Sequence, residues 1–295
     1  MVLALGGCGD AAQAPARRSL FDYDRSAPLR FRDRGQVNHG YPVQVRDVSY
    51  ASPGGSRVTA FLVVPPGKGP FPGVLYLHGA GEDRTRLAVP AAWLAARGAV
   101  GLVIDSAFAR TRSSAPKDPL HSLEWGRDLT VQTVVDLRRG VDLLRSLPQV
   151  DPERIGFVGY SAGAKTGAIL AGVEHRIRAY DLMSGGSPPV EAFTAAAPAG
   201  IRSDVRRVIS QIDPLRFVRQ AAPASLFFQN GLLDEVVPRA QLRELARAGS
   251  EPKRVRWYRA GHSLNAQAYR DQLEWLSRKL GVQGPVVRDA ATGPG

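Results

Sequence analysis

The 295 residues carry 39 Lys and Arg against 27 Asp and Glu, a formal charge of +12, and 44% of them are hydrophobic. That apolar fraction suits a chain with a sizeable buried core, and no window approaches the ~18 consecutive apolar residues of a membrane-spanning helix. Only five of the basic residues are Lys, and the Arg residues are scattered without a dense cluster or recognition motif, which reads as a solvated surface and argues against nucleic acid as a partner.

Taken in chain order, the first feature is Cys8, the single cysteine, which excludes an intramolecular disulfide framework and a multi-cysteine metal site. Leu5-Gly6-Gly7-Cys8 resembles a bacterial lipobox, with Cys8 as the lipidation site and Gly9 to Arg18 as a tether. Only Met1 to Leu5 precede the glycines, short of the basic region and the apolar stretch of about 7–15 residues that an export signal needs. The expectation is therefore a lipid-anchored envelope protein if the true start lies upstream, and a cytoplasmic protein otherwise. Residues 1–42 read as an N-terminal extension lying on the domain surface, because residues 10–40 show no steady periodicity.

Val43–Tyr50 and Arg57–Val64 partly alternate around Pro53-Gly54-Gly55 and predict a hairpin at a sheet edge. Nearly continuous apolar runs at 71–77, 99–104, 155–158, 179–183 and 225–228 predict strands covered on both faces, and Val255–Tyr258 predicts a last one. Helical patterns fall between them at 88–96, 128–147, 162–171, 240–248 and 265–280, the last with Leu273, Trp275 and Leu276 on its apolar side. The alternation predicts an α/β domain over residues 43–283: a mostly parallel eight-stranded sheet with helices on both faces. No internal repeat is present, and residues 284–295 read as a disordered tail.

Gly159-Tyr160-Ser161-Ala162-Gly163 matches G-x-S-x-G. Five residues alone are a weak signal, but an apolar strand leads in and a small-residue helix leads out. A sharp strand-to-helix turn needs glycine on both sides of the serine, and it aims the hydroxyl at a helix N-terminus that favours developing negative charge. Ser161 is the candidate nucleophile.

A serine hydroxyl needs a base, usually histidine. Of His39, His78, His121, His175 and His262, the last follows a late strand and precedes the final helix, where a loop can bring its ring over the sheet. The base needs a carboxylate to orient it. Asp234, just beyond the 225–228 strand, is the candidate, with Glu235, Asp213 and Asp181 as rivals and Asp213 read as a helix N-cap. Two N–H donors must stand about 3 Å from the developing oxyanion. Ala162 and Ala80 are expected to supply them, the latter in the small-residue loop His78-Gly79-Ala80-Gly81, where His78 is expected to hold the loop by hydrogen bonds. Tyr160, Phe108, Trp125 and Phe193 are candidates to line an acyl pocket.

From about Val43 to Leu280 these residues resemble the α/β-hydrolase superfamily, whose nucleophile, acid and base come in the order seen here. Three phrases resemble the dienelactone-hydrolase-like and acetyl-xylan-esterase-like group: FPGVLYLHGAGEDR, VDPERIGFVGYSAGA and NGLLDEVVP. Dienelactone hydrolases proper use a cysteine nucleophile, whereas this chain has Ser161. The resemblance thus implies serine-esterase chemistry, which needs no metal or organic cofactor. About forty residues separate Met183 from Ser225, too few for a large lid, which favours small soluble or carbohydrate-linked esters as substrates. A peptidase, thioesterase or lactonase on the same triad, or a non-catalytic binding protein, are the alternatives; oligomeric state is left open.

Overall fold

The computed structural model describes residues 19–37 and 40–284; Cys8, His39 and residues 285–295 lie outside them. Nine strands make one sheet: β1 (Arg32–Gln36), β2 (Gln44–Ala51), β3 (Arg57–Val64), β4 (Phe71–Leu77), β5 (Val100–Ile104), β6 (Val150–Tyr160), β7 (Ile177–Met183), β8 (Ser225–Gly231) and β9 (Lys253–Tyr258). Their order is β1-β2-β3-β5-β4-β6-β7-β8-β9. The β1, β2 and β3 strands pair antiparallel, β3 runs against β5, and the remaining pairs are parallel. The helices are α1 (Ala88–Ala95), α2 (Ala107–Arg110), α3 (Pro119–Ser146), α4 (Ala162–Ala171), α5 (Val190–Ala196), α6 (Arg202–Gln211), α7 (Pro214–Val218), α8 (Arg239–Ala248) and α9 (Ala266–Leu280).

Strand alternation divides the core. Leu75, Leu102, Phe157 and Tyr180 face the α3, α4 and α7 side with Leu137, Val141, Ile169 and Val218. Val74, Tyr76, Val158 and Phe227 face the α1 and α9 side with Ala91, Leu94, Leu273 and Trp275. Each such Val, Leu, Ile or Phe contributes about 1.5–3 kcal/mol by leaving water. Burial on both faces explains why these strands lack polar alternation.

The sheet has nine strands where eight were expected. The extra one, β1, comes from the stretch read as a surface extension. Its residues are mostly exposed, so it carries no alternating pattern; backbone pairing with β2 and the Arg46–Asp33 ion pair (2.5 Å) hold it. Upstream residues also belong to the domain. Phe21 is fully buried, edge-on to Phe217 at 5.4 Å. Arg138 Nη1 donates to Phe21 O (2.6 Å) and Arg139 Nη2 to Ala27 O (2.7 Å). The α3 arginines, far along the chain, thus hold residues 21–27 against the domain.

The α3 helix starts earlier than its apolar run. The Asp118 side chain accepts from His121 N (2.8 Å) and Pro119 occupies the first turn, which together start a helix. Its buried positions begin at Thr133, while Glu124 and Arg127 in the first half meet Arg207 and Gln211 of α6. The segment between β7 and β8 is three short α-helices and one 3-10 turn (Ala199–Ile201) rather than a large lid. No helix among the described residues is long and apolar enough to cross a membrane.

Candidate active site

The strand β6 ends at Tyr160 and α4 begins at Ala162, so Ser161 makes the turn alone, with φ 54° and ψ −114°. That positive φ is unfavourable for a residue with a Cβ, and it persists only where neighbours hold it. Ser161 N donates to Met183 O (2.8 Å), and Ser161 O accepts from Lys165 N (3.0 Å). Two flanking positions must be glycine. A Cβ on Gly159 would lie 2.5 Å from Gly163 O, and one on Gly163 would lie 2.1 Å from Leu77 O. The G-x-S-x-G pattern records this close approach of β4, β6 and α4.

Around Ser161 the structure brings together the expected base and carboxylate. His262 Nε2 lies 2.8 Å from Ser161 Oγ, and His262 Nδ1 lies 2.9 Å from Asp234 Oδ2. The Asp234 side chain is 1% exposed, and its Oδ1 accepts from Val236 N and Val237 N, both at 2.9 Å. One oxygen is thus held by the backbone while the other faces the imidazole. With Nδ1–H donating to Asp234, Nε2 of the neutral ring is free to accept the serine proton. The two loops are tied together: Leu232 N donates to Tyr258 O (2.8 Å), Leu233 N to Ala260 O (3.0 Å), and Ser184 Oγ to His262 O (2.7 Å).

The rivals stand elsewhere. Asp213 accepts from Leu215 N (2.9 Å) and caps α7, Glu235 is exposed, and Asp181 sits inside the sheet with its Oδ2 on Gln272 Nε2 (2.8 Å). His121 is exposed beside Asp118 (3.0 Å), and His175 is exposed.

His78 is buried just past β4. Its Nε2 accepts from Ser106 N (3.0 Å), so its proton is on Nδ1, which donates to Gly79 O (2.7 Å). In a trans peptide the following N–H points opposite to the carbonyl. Fixing Gly79 O towards His78 therefore turns Ala80 N–H away from it. Gly79 N–H is already taken by Glu82 Oε2 (2.8 Å). Ala80 N–H and Ala162 N–H donate to no protein acceptor among the described residues. Ala162 opens α4, where unpaired N–H groups are intrinsic to a helix.

Both alanines line a cavity of about 650 Å³, with Glu82, Asp83, Arg86, Phe108 and Thr166 among its walls. Of the expected pocket aromatics, only Phe108 lines it. It is 45% exposed and edge-on to Trp125 at 5.9 Å, so Trp125 backs it and does not face the cavity. Tyr160 is 4% exposed: its ring packs on the His262 imidazole (5.3 Å) and carries the Arg86 guanidinium (4.6 Å). That packing keeps Tyr160 out of the cavity wall, and Phe193, half-buried in α5, is not part of it either. Glu82, Arg86 and Ser184 were not among the expected site residues. For the first two the signal was present, an acid and a base four residues apart directly after the His-Gly loop.

The acetyl xylan esterase (AXE1) family model matches residues 29–183, just over half of the chain. Esterase FrsA of Salmonella paratyphi B is 31% identical over 134 residues; that match covers 45% of this chain and 30% of the relative, so the chain spans well under half of it. Among solved structures, acetyl xylan esterase 1 from Thermoanaerobacterium sp. JW/SL YS485 superposes with a TM-score of 0.71 at 16% identity, covering 88% of this chain and 90% of the other. The acetyl xylan esterase from Paenibacillus sp. R4 gives 0.74 at 20% identity, covering 88% and 91%. At such identities the likeness shows the fold, which is that of the α/β-hydrolases.

Proposed function

The chain belongs to the acetyl xylan esterase (AXE1) family, and on that premise we propose that it is a carboxylic-ester hydrolase working through Ser161, His262 and Asp234. The observation that carries this reading is the unbroken relay from serine to histidine to aspartate beside two uncommitted N–H donors. Ser161 Oγ attacks the ester carbonyl carbon as its proton passes to His262 Nε2. Asp234 stabilises the imidazolium through Nδ1–H. The carbonyl oxygen becomes an oxyanion between Ala80 N–H and Ala162 N–H, where each such donor is worth about 10²–10³ in rate. Collapse expels the alcohol, protonated by Nε2–H, and leaves an acyl-serine. His262 then deprotonates a water that attacks the acyl carbon, releasing the acid and restoring the serine.

A cavity of about 650 Å³ suits a small molecule. With no large lid over it, small acyl groups on soluble or carbohydrate-linked alcohols are the favoured substrates. The test is a series of 4-nitrophenyl esters from acetyl to decanoyl, run beside acetylated xylo-oligosaccharides. Acetyl and propionyl esters are expected to be fastest, with kcat/KM down about tenfold or more at decanoyl, a penalty of about 1.4 kcal/mol or more. A rise with chain length, or no hydrolysis of any ester, would contradict the reading.

A further inference from the structure

Glu82 and Arg86 have no part in the acyl-transfer steps, yet between them they touch both halves of the machinery. Glu82 divides its carboxylate: Oε2 accepts Gly79 N–H (2.8 Å), and Oε1 lies 3.0 Å from Arg86 Nε. The Arg86 Nε–H is not aligned on that oxygen and finds no other acceptor among the described residues, so charge rather than a hydrogen bond holds the contact. The guanidinium lies over the Tyr160 ring at 4.6 Å. That ring packs on the His262 imidazole at 5.3 Å, and its hydroxyl lies 3.5 Å from Ser263 Oγ.

We propose that Glu82 and Arg86 are positioning residues that lock the oxyanion loop to the histidine through Tyr160, an inference that rests on the acyl-transfer reading of the same site. Gly79 shows how tightly the parts meet. A Cβ there would lie 2.7 Å from Glu82 Oε2, 3.2 Å from Tyr160 Cδ1 and 3.3 Å from Ser161 Cβ. His78 holds the Gly79 carbonyl and Glu82 holds the Gly79 N–H, so the peptides on both sides of this residue are fixed. Through Arg86 the same carboxylate is joined to the aromatic ring that backs the base.

The pair's side chains are 31% and 28% exposed, and with the Arg86 Nε–H off the line to the carboxylate the ion pair contributes little to stability. Its effect belongs in the alignment of reacting groups, where a shift of about 1 Å costs on the order of a hundredfold in rate. Recognition of a substrate carboxylate by Arg86 is the competing idea. Glu82 and Asp83 share the cavity wall with it, so an anion meets no net positive field there.

The test is steady-state kinetics on 4-nitrophenyl acetate for Glu82→Gln, Arg86→Met and the double variant, with Ser161→Ala as reference and melting temperatures as a fold check. Both replacements are close in size to the originals, and both sites are partly exposed, so the fold is expected to hold. Each single change is expected to lower kcat about 5- to 50-fold with KM within about threefold. The double variant should lose no more than the worse single one, because the pair works as a unit. Inhibition by a small alkylboronic acid, whose serine adduct places an oxygen in the hole, should weaken in step with kcat. Wild-type kcat in both single variants, multiplying losses in the double, or losses confined to KM would overturn the proposal. If Ser161→Ala retains activity, the acyl-transfer reading falls instead. If Ser161→Ala is inactive while the other variants turn over at the parent rate, only the positioning role is lost.

Discussion

Asp234 and Asp181 belong to neighbouring strands, one just beyond β8 and the other within β7, and both side chains are shut away from water. Their surroundings differ. Asp234 faces three donors: His262 Nδ1, Val236 N and Val237 N. Among the described residues, Asp181 has only Gln272 Nε2 on its Oδ2, and its Oδ1 has no partner. Burial pushes the Asp181 carboxyl up to about 8, with the nearby Asp271 charge adding to the rise and the Gln272 bond opposing it. At neutral pH Asp181 is therefore mostly protonated, and it could not balance an imidazolium. Burial alone does not make a catalytic carboxylate; the donors arranged around it decide which role it can take.

The largest effect expected from breaking this contrast comes from Asp234→Asn. An amide there turns a donor towards Nδ1 or favours the wrong imidazole tautomer, and kcat on 4-nitrophenyl acetate should fall about 10³- to 10⁴-fold with KM little changed. A loss below tenfold would mean that Asp234 does not orient His262.

The smaller effect belongs to Asp181 and is read in stability. Below about pH 4 its carboxyl is protonated in both folded and unfolded chains, and the folded state bears no penalty. Between about pH 4 and about pH 8 the unfolded chain ionises while the folded one holds its proton. This group's contribution is thus fully present at low pH and is lost as pH rises, by at most ~1.4 kcal/mol per pH unit. Above about pH 8 both states are ionised and the dependence ends. Urea unfolding from pH 5 to pH 8 should show a steeper decline for the parent than for Asp181→Asn. Parallel declines would show that Asp181 is not the group responsible.

The same contrast separates what was legible in the sequence from what was not. The turn at Ser161 was legible because sterics permit little else: glycine is required wherever a Cβ would strike Gly163 O or Leu77 O. Asp234 and His262 could be singled out because they follow strands whose apolar runs were clear. Segments held by distant polar contacts were opaque. Residues 19–29 depend on Arg138 and Arg139, and β1 on backbone pairing that leaves no side-chain pattern. Tyr160 was misplaced for a related reason, since Arg86 covers its ring and that packing is invisible in a five-residue motif. The start of α3 was written in Asp118-Pro119 but lay ahead of the apolar periodicity that marked the rest of the helix.

The central claim is that Ser161 is the nucleophile, and active-site labelling tests it most directly. A fluorophosphonate reacts when the serine oxygen attacks phosphorus and expels fluoride, which requires an activated hydroxyl beside a working oxyanion hole. After tryptic digestion of the labelled protein, the adduct should map to Ser161 within the peptide Ile155 to Lys165. Folded protein that takes up no label, or that carries it on another residue, would contradict the account.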